Sequence, residues 1–447
     1  LDLNRKKPFN HPEFDFTKKP LPKKKAKVKE LEQSVVDLAS HDLKQQILAF
    51  REFGKDTICE VSRYEKSDGG KAEVPLYLNE FWTARQRQAH SLHEISYRAC
   101  FKPQLPAFFI DRLTAKGDIV YDPFMGRGTT PLEAALKGRI PYGCDINPLS
   151  ERLLLPRLTP PDLSEVQERL KSLIWDYKGN IPKELLVFYH PDTLRSICAL
   201  RDYLIKRESK GKLDAIDAWI RLVAINRLTG HSAGFFSVYS LPPNQAVSVQ
   251  SQKRINERRN QMPLPRDVPA IILKKSKSLL KDLTANENRN LHEVAVRSKM
   301  VIALADRTDS IASSSVSLVV TSPPFLDVVD YVTDNWLRCW FIGLDAKALN
   351  ITMSGKLSVW EETMTRVFVE LTRVLKPGGH IAFEVGEVRK GKMKLEESVL
   401  RCGDQAGLIP LFVMVNAQQF TKTANCWGVD NNSKGTNSNR IVLFRKE

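Results

Sequence analysis

The sequence has no Cys-x-x-Cys pair, no Pro-Cys dipeptide and no run of eighteen or more apolar residues. Its seven cysteines (Cys59, Cys100, Cys144, Cys198, Cys339, Cys402 and Cys426) lie far apart, as scattered reduced thiols do, and offer no zinc knuckle. Without a long apolar run, no transmembrane helix is expected. The N-terminus lacks the apolar core of a signal peptide, which argues for an intracellular protein of the cytoplasm or nucleoid, or of the nucleus in a eukaryote. The first residue is Leu1 rather than Met, as in a trimmed or incomplete product.

Length and charge set the frame for what is present. At 447 residues one large or two moderate domains are expected, and an apolar content of 42% permits a substantial core. The formal charge of +16 is the main compositional pointer to a partner, because a polyanion such as DNA or RNA gains from it through counterion release. Part of that charge sits in an N-terminal arm, where residues 18–29 hold seven lysines. A charge block with so few apolar neighbours is expected to be disordered. It suits a non-specific DNA tether or a localisation signal, and the sequence does not separate the two.

Residues 1–40 read as this basic tail. The stretch Leu78–Leu113 mixes aromatics with histidines and ends in a helix-like AFFIDRL pattern. Ile119–Tyr121 reads as a short strand, followed by a glycine loop, a TPLEAALKG helix stopped by Gly138, and a second strand ending in Asp145. That start predicts an α/β sheet with a ligand at the carboxyl edge of its strands. Residues 151–298 break the alternation: helices are expected over Leu163–Tyr177, Pro191–Arg207 and Leu213–Leu228, then a loop-rich stretch, LTGHSAGFFSVYSLPPNQAVS. Ser251–Met300 follows with twelve Lys/Arg against five Asp/Glu, so the region reads as an inserted module. Strands are expected again at Lys299–Ala305, Val316–Val320, His380–Val385, Leu411–Val415 and Ile441–Phe444. A helix over Trp360–Leu375 should end in the LKPGGH turn.

Two strings carry chemistry. In DPFMGRGTT, Asp122, Gly126 and Gly128 stand between strand and helix. Glycines there permit positive φ and close approach to a ligand, while helix N-terminal amides face a carboxylate or phosphate. An ordinary βα turn and a mononucleotide or NAD site are competing readings, although the third glycine of the dinucleotide fingerprint is missing. Asp145 stands where two ribose hydroxyls can donate to it, or where it caps the following helix. Asp306, near the end of a later strand, can meet an adenine amino group, with Asp309 close by as a competitor.

The second string is TSPPF, Thr321–Phe325. The Ser322 side chain and the Pro323 carbonyl supply acceptors for the two N–H bonds of an exocyclic amine. Pro323 and Pro324 hold those acceptors rigidly, and Phe325 can stack on a planar ring. Leu241-Pro-Pro-Asn244 has the prolines but neither the strand nor the aromatic, and reads as a loop. His90 and His93 have no Cys or acidic partner at metal spacing, so no metal is expected. Trp336 and Trp340 read as core. Arg254, Arg258 and Arg259 read either as nucleic-acid contacts or as a solvated face.

On these residues the chain resembles the DNA amino-methyltransferases, most closely the N4-cytosine branch with its Ser-Pro-Pro-aromatic tetrapeptide. The resemblance covers roughly residues 78–150 and 299–447. It implies a class I methyltransferase-like, doubly wound α/β sheet with a C-terminal β-hairpin and a mostly helical insertion. It implies S-adenosylmethionine as cofactor, held by Asp122, Pro123, Phe124, Gly126, Gly128 and Thr129, with Asp145 on the ribose and Asp306 on the adenine. The segment SLHEISYR, which includes His93, would close over the methionine end. Ser322, Pro323, Pro324 and Phe325 would form the catalytic clamp on a flipped base. Double-stranded DNA is the implied partner, with a cognate restriction endonuclease as a candidate second one and no membrane.

The resulting domain plan is a tail (1–40), a cofactor-binding half (41–150), an insertion with a candidate target-recognition role (151–298) and a catalytic half (299–447). The function expected is site-specific methyl transfer to N4 of cytosine in DNA by direct displacement. Adenine N6, an RNA base, and a non-catalytic nucleic-acid-binding protein are the alternatives. The missing Pro-Cys dipeptide speaks against C5-cytosine methylation, which needs a thiolate nucleophile.

Overall fold

A nine-stranded sheet organises the computed structural model, in the order β1-β2-β8-β9-β7-β6-β3-β4-β5. The strands are β1 Ile58–Glu65, β2 Lys71–Asn79, β3 Ile119–Asp122, β4 Ile140–Asp145, β5 Lys299–Ile302, β6 Val316–Thr321, β7 Leu375–Gly386, β8 Ile409–Ala417 and β9 Ser438–Arg445. The structure describes residues 42–66, 68–82, 89–98, 100–240, 246–324, 331–345, 356–386, 395–417 and 438–447. The basic arm, the Leu241–Asn244 prolines and Phe325 therefore lie outside the described residues. The chain divides into Leu1–Lys44 and Gln45–Glu447, and the architecture below belongs to the second unit.

Strands β3, β4, β5, β6 and β7 run parallel, while β9 is antiparallel to both β7 and β8. The doubly wound sheet with its C-terminal hairpin expected from the sequence is thus present. The chain winds outward from β3 through β4 to β5, then returns to the other side of β3 with β6. That reversal makes a crevice between β3 and β6 at the carboxyl ends of the strands, where open α/β sheets bind their ligands. All six residues of β6 are buried, and its apolar run VSLVV fits a parallel strand covered on both faces.

Helices α1 Gln104–Leu113, α2 Thr129–Leu136 and α3 Leu149–Leu158 accompany the first strands. The connection from β4 to β5 is then built of helices joined by loops: α4 Leu163–Ser172, α5 Pro191–Ser209, α6 Ala215–Ile225, α7 Val249–Arg259, α8 Val268–Leu280 and α9 Ala285–Ala295. Their starts are written locally, with capping boxes Asp162/Glu165 and Thr284/Glu287 and with Asp214 and Asp267 capping α6 and α8. Helices α10 Tyr331–Ile342, α11 Leu357–Val374 and α12 Leu395–Gln405 belong to the later half.

Two hydrophobic clusters form the core. One joins Met125 and Leu132 of the glycine-loop region to Leu153, Leu154, Trp219 and Ile272 of the helical connection and to Leu337 and Phe341 of α10. The other packs Phe368 and Leu371 of α11 and Val399 of α12 against Tyr121, Val319, Phe383 and Phe444 of the sheet. Trp336 and Trp340 pack against the first cluster as core residues do.

Several expectations are corrected. The β1–β2 hairpin was not anticipated, and it lengthens the sheet because β2 pairs parallel with β8. Helix α4 stops at Ser172 rather than Tyr177, since Leu173 is already extended. Strand β5 ends at Ile302, short of Ala305. The LKPGGH segment is not a free turn: Leu375 pairs with Val316, His380 with Leu318, and an irregularity between them absorbs the Pro-Gly-Gly. Among the described residues no helix is long and apolar enough to cross a membrane.

Candidate active site at the switch point

The glycine loop leaves β3 at Asp122, whose side chain is buried. Asp122 Oδ1 accepts the Phe124 amide at 3.0 Å and the Thr321 hydroxyl at 2.6 Å, so the carboxylate joins the loop to the end of β6. Its Oδ2 is buried with no hydrogen-bond partner among the described residues. Burial pushes the carboxyl up to about 7. Gly126 and Gly128 have φ of +50° and +79°. At Gly128 a Cβ would stand 2.8 Å from Leu154 Cδ1, so both the turn and the close packing call for glycine. Helix α2 starts at once, with Thr129 and Thr130 buried and Pro131 in the first turn, where no backbone N–H is needed. The Thr130 hydroxyl donates to the Val320 carbonyl at 3.0 Å, a second tie between loop and β6.

Asp145 closes β4 on the other side of the loop. Its Oδ2 accepts the Gly126 amide at 2.9 Å and its Oδ1 the Asn147 amide at 2.8 Å. Asp145 does not cap α3, whose N-cap is Pro148; its two contacts use two of the roughly four acceptor positions of an ionised carboxylate. Burial raises its carboxyl above the ordinary range.

The segment around Ser91–Arg98 is fastened to this loop by two arginines. Arg127 Nη1 donates to the carbonyls of Ile95 (2.6 Å) and His93 (3.2 Å). Arg157, fully buried on α3, donates to the carbonyls of Leu153 (2.8 Å), Leu92 (3.3 Å) and Arg127. Burial pushes its guanidinium down to about 9. The His93 side chain points its Nε2 at Glu133 Oε2, 3.0 Å away, and burial pushes the imidazole down to about 4, so it is neutral near pH 7. His93 thus contributes its carbonyl to the loop and its ring to α2. Tyr97 lies against Gly126, where an added Cβ would meet its ring at 3.4 Å.

At the end of β6, Pro323 is buried and the Pro324 carbonyl accepts the Trp360 indole N–H at 3.2 Å. Ser322 stands beside Glu384 of β7, since Thr321 pairs with Phe383, and Glu384 Oε1 accepts Asn439 Nδ2 from β9 at 2.8 Å. Burial raises the Glu384 carboxyl.

The structure brings Asp122, Pro123, Phe124, Gly126, Gly128, Thr129, Asp145, Ser322, Pro323 and Pro324 to adjacent strand ends. Asp306 stands four residues beyond β5, and its Oδ2 is engaged by Arg366 Nε of α11 at 3.1 Å. Asp309 is exposed beside Arg307. Arg254, Arg258 and Arg259 lie exposed on α7, with Arg259 stacked 3.7 Å over the Tyr239 ring. The residues just before that helix are tied to α10: Ala246 N donates to Asp334 O, and Trp336 Nε1 donates to Val247 O. Sequence reading missed Arg157 and Glu384. The signal for the latter was a lone acid following the apolar run IAF in HIAFEVG.

The arrangement fits an S-adenosylmethionine cofactor. The unpartnered Asp122 Oδ2 suits the ammonium of a methionine moiety, the side-chain-free glycines leave room for close backbone approach, and Asp145 has acceptor positions left for ribose hydroxyls. Fold and loop together define a class I methyltransferase-type α/β protein. Residues 9–153 match the DNA methylase family model of N6/N4 type. The chain is similar to the Type II methyltransferase M.MvaI of Kocuria varians, at 31% identity over 32% of this chain and 29% of that protein. It is also similar to the Type II methyltransferase M.BsoBI of Geobacillus stearothermophilus, at 23% identity over 66% and 61%. These matches support the N4/N6 amino-methyltransferase family, and the chain spans less than two thirds of the length of these relatives. A solved SAM-dependent methyltransferase from Methanosarcina mazei aligns over 76% of this chain and 96% of that one, at 12% identity and a TM-score of 0.29; the fold assignment rests on the strand order instead.

Proposed function

We propose that the protein transfers a methyl group from S-adenosylmethionine to an exocyclic amine of a base in double-stranded DNA, with N4 of cytosine as the target atom. The observation that carries this reading is the 2.6 Å hydrogen bond from Thr321 to Asp122, which sets the residue before Ser322 against the acid that opens the glycine loop. Cofactor loop and Ser-Pro-Pro turn are thereby neighbours, as a direct transfer between two bound molecules requires.

When bound, the cofactor supplies a methyl group on a sulfonium, which makes transfer favourable. The residues supply position. An exocyclic amine is a poor nucleophile because its lone pair is delocalised into the ring. Ser322 Oγ and the Pro323 carbonyl accept its two N–H bonds, localise the lone pair and aim it. The prolines and the Trp360 anchor on Pro324 keep these acceptors in place before the base arrives, so orientation is the main source of rate. Phe325 would stack on the extracted ring. The helical connection 151–298 would contribute target recognition, with Arg254 and Arg258 of α7 meeting phosphates.

The test is mass spectrometry of nucleosides after incubation with S-adenosylmethionine and unmethylated genomic DNA. N4-methyldeoxycytidine is the expected product. N6-methyldeoxyadenosine would retain the amine chemistry but overturn the cytosine target, and no methylated base alongside intact cofactor binding would overturn the DNA reading.

A further inference from the structure

Ser322 is a weak base, yet the reaction must dispose of a proton. Behind its hydroxyl stands Glu384, on β7, 5% exposed, with the buried apolar residues Phe383 and Val385 on either side of it in the strand. Register explains the meeting: Thr321 pairs with Phe383, so the residues that follow, Ser322 and Glu384, lie side by side at the carboxyl ends of β6 and β7. The carboxylate is held from the far side by Asn439, the second residue of β9. Three adjacent strands thus align Ser322, Glu384 and Asn439 across the mouth of the site. A buried acid held by the neutral amide of Asn439 is costly to keep unless it serves a purpose.

Resting on the proposed methyl transfer, we propose that Glu384 is a positioning residue and proton acceptor that acts through Ser322. Its carboxylate draws the Ser322 hydroxyl proton toward β7, which turns the Oγ lone pairs toward the substrate amine. In the transfer, the amine nitrogen forms a bond to the methyl carbon as the carbon–sulfur bond breaks and its electron pair remains on sulfur. The nitrogen, then positively charged, releases one proton to Ser322 Oγ while the serine proton passes to Glu384. The serine is regenerated, Glu384 becomes a neutral acid, and solvent later recovers the proton. Burial, which raises the carboxyl, makes it a better proton acceptor than an exposed glutamate. Asn439 keeps the second side of the carboxylate hydrogen-bonded, so it does not swing away.

The experiment compares wild type, Glu384→Gln, Ser322→Ala and the double variant. It measures single-turnover transfer from tritiated S-adenosylmethionine to unmethylated genomic DNA and, separately, the affinity for S-adenosylhomocysteine. Glu384→Gln keeps the shape of the side chain and is expected to slow transfer by roughly 10²-fold or more with affinity unchanged. The double variant is expected to be no slower than Ser322→Ala, since the two act in one chain. A Glu384→Gln rate equal to wild type, additive losses in the double variant, or parallel loss of affinity and rate would each overturn the relay. They would leave methyl transfer by the wild type standing. A wild type that transfers no methyl group overturns both.

Discussion

Gly128 shows how a single position can be tested twice over. Alanine there must adopt a φ near +79° and force its Cβ into Leu154, whereas Gly117, at +85°, has nothing within 4 Å of an added Cβ. Gly117→Ala should therefore cost only the backbone strain, about 1–3 kcal/mol. Gly128→Ala should cost visibly more in thermal unfolding and also weaken S-adenosylhomocysteine binding. Asp122 makes a prediction about pH. Its carboxyl is raised from 3.8 to about 7, so across that window the folded chain binds more protons than the unfolded one. The stability of the ligand-free protein should accordingly fall as pH rises through it, and Asp122→Asn should flatten the slope. A ligand ammonium at Oδ2 would favour the ionised form. Binding near pH 7 should then release a proton, seen as a calorimetric heat that varies with the ionisation enthalpy of the buffer.

At the scale of elements, α7 carries the clearest electrostatic prediction. Arg254 and Arg258 are one turn apart and exposed, while Arg259 is partly spent on Tyr239. Replacing both Arg254 and Arg258 by alanine should weaken DNA binding about equally across sequences. It should also reduce the slope of log K against log salt by about 1.8, if each meets one phosphate. Elements differ in how far the sequence exposes them. The glycine loop was readable because a tight βα turn needs glycines at fixed places, and β6 because a strand covered on both faces is a plain apolar run. The β1–β2 hairpin was not, since Arg63, Glu65, Lys71 and Glu73 give an edge strand the composition of a loop. Arg157 in LLLPRL looks like a surface arginine of an amphipathic helix; its burial follows from three carbonyls, two of them distant in sequence, that need donors. Glu384 and Ser322 meet only through strand register, which a linear reading does not contain.

For the whole molecule, the charge of +16 is uneven, with seven lysines in residues 18–29 alone. Removing residues 1–30 should weaken DNA binding and lower its salt dependence; an unchanged slope would reduce the arm to a spacer or an address. The reversal of winding at β3 has a further consequence, during synthesis. One flank of β3 is covered by β4, only about twenty residues later, but the other waits for β6, which begins at Val316. At a ribosomal pace of roughly 5–20 residues per second, the nascent chain carries that open strand edge for on the order of ten to forty seconds. In that interval the helices between β4 and β5 are the part of the chain available to collapse onto α2 and α3, with which they share a core. The long connection therefore finds its own core partners before the strand that closes this edge has emerged.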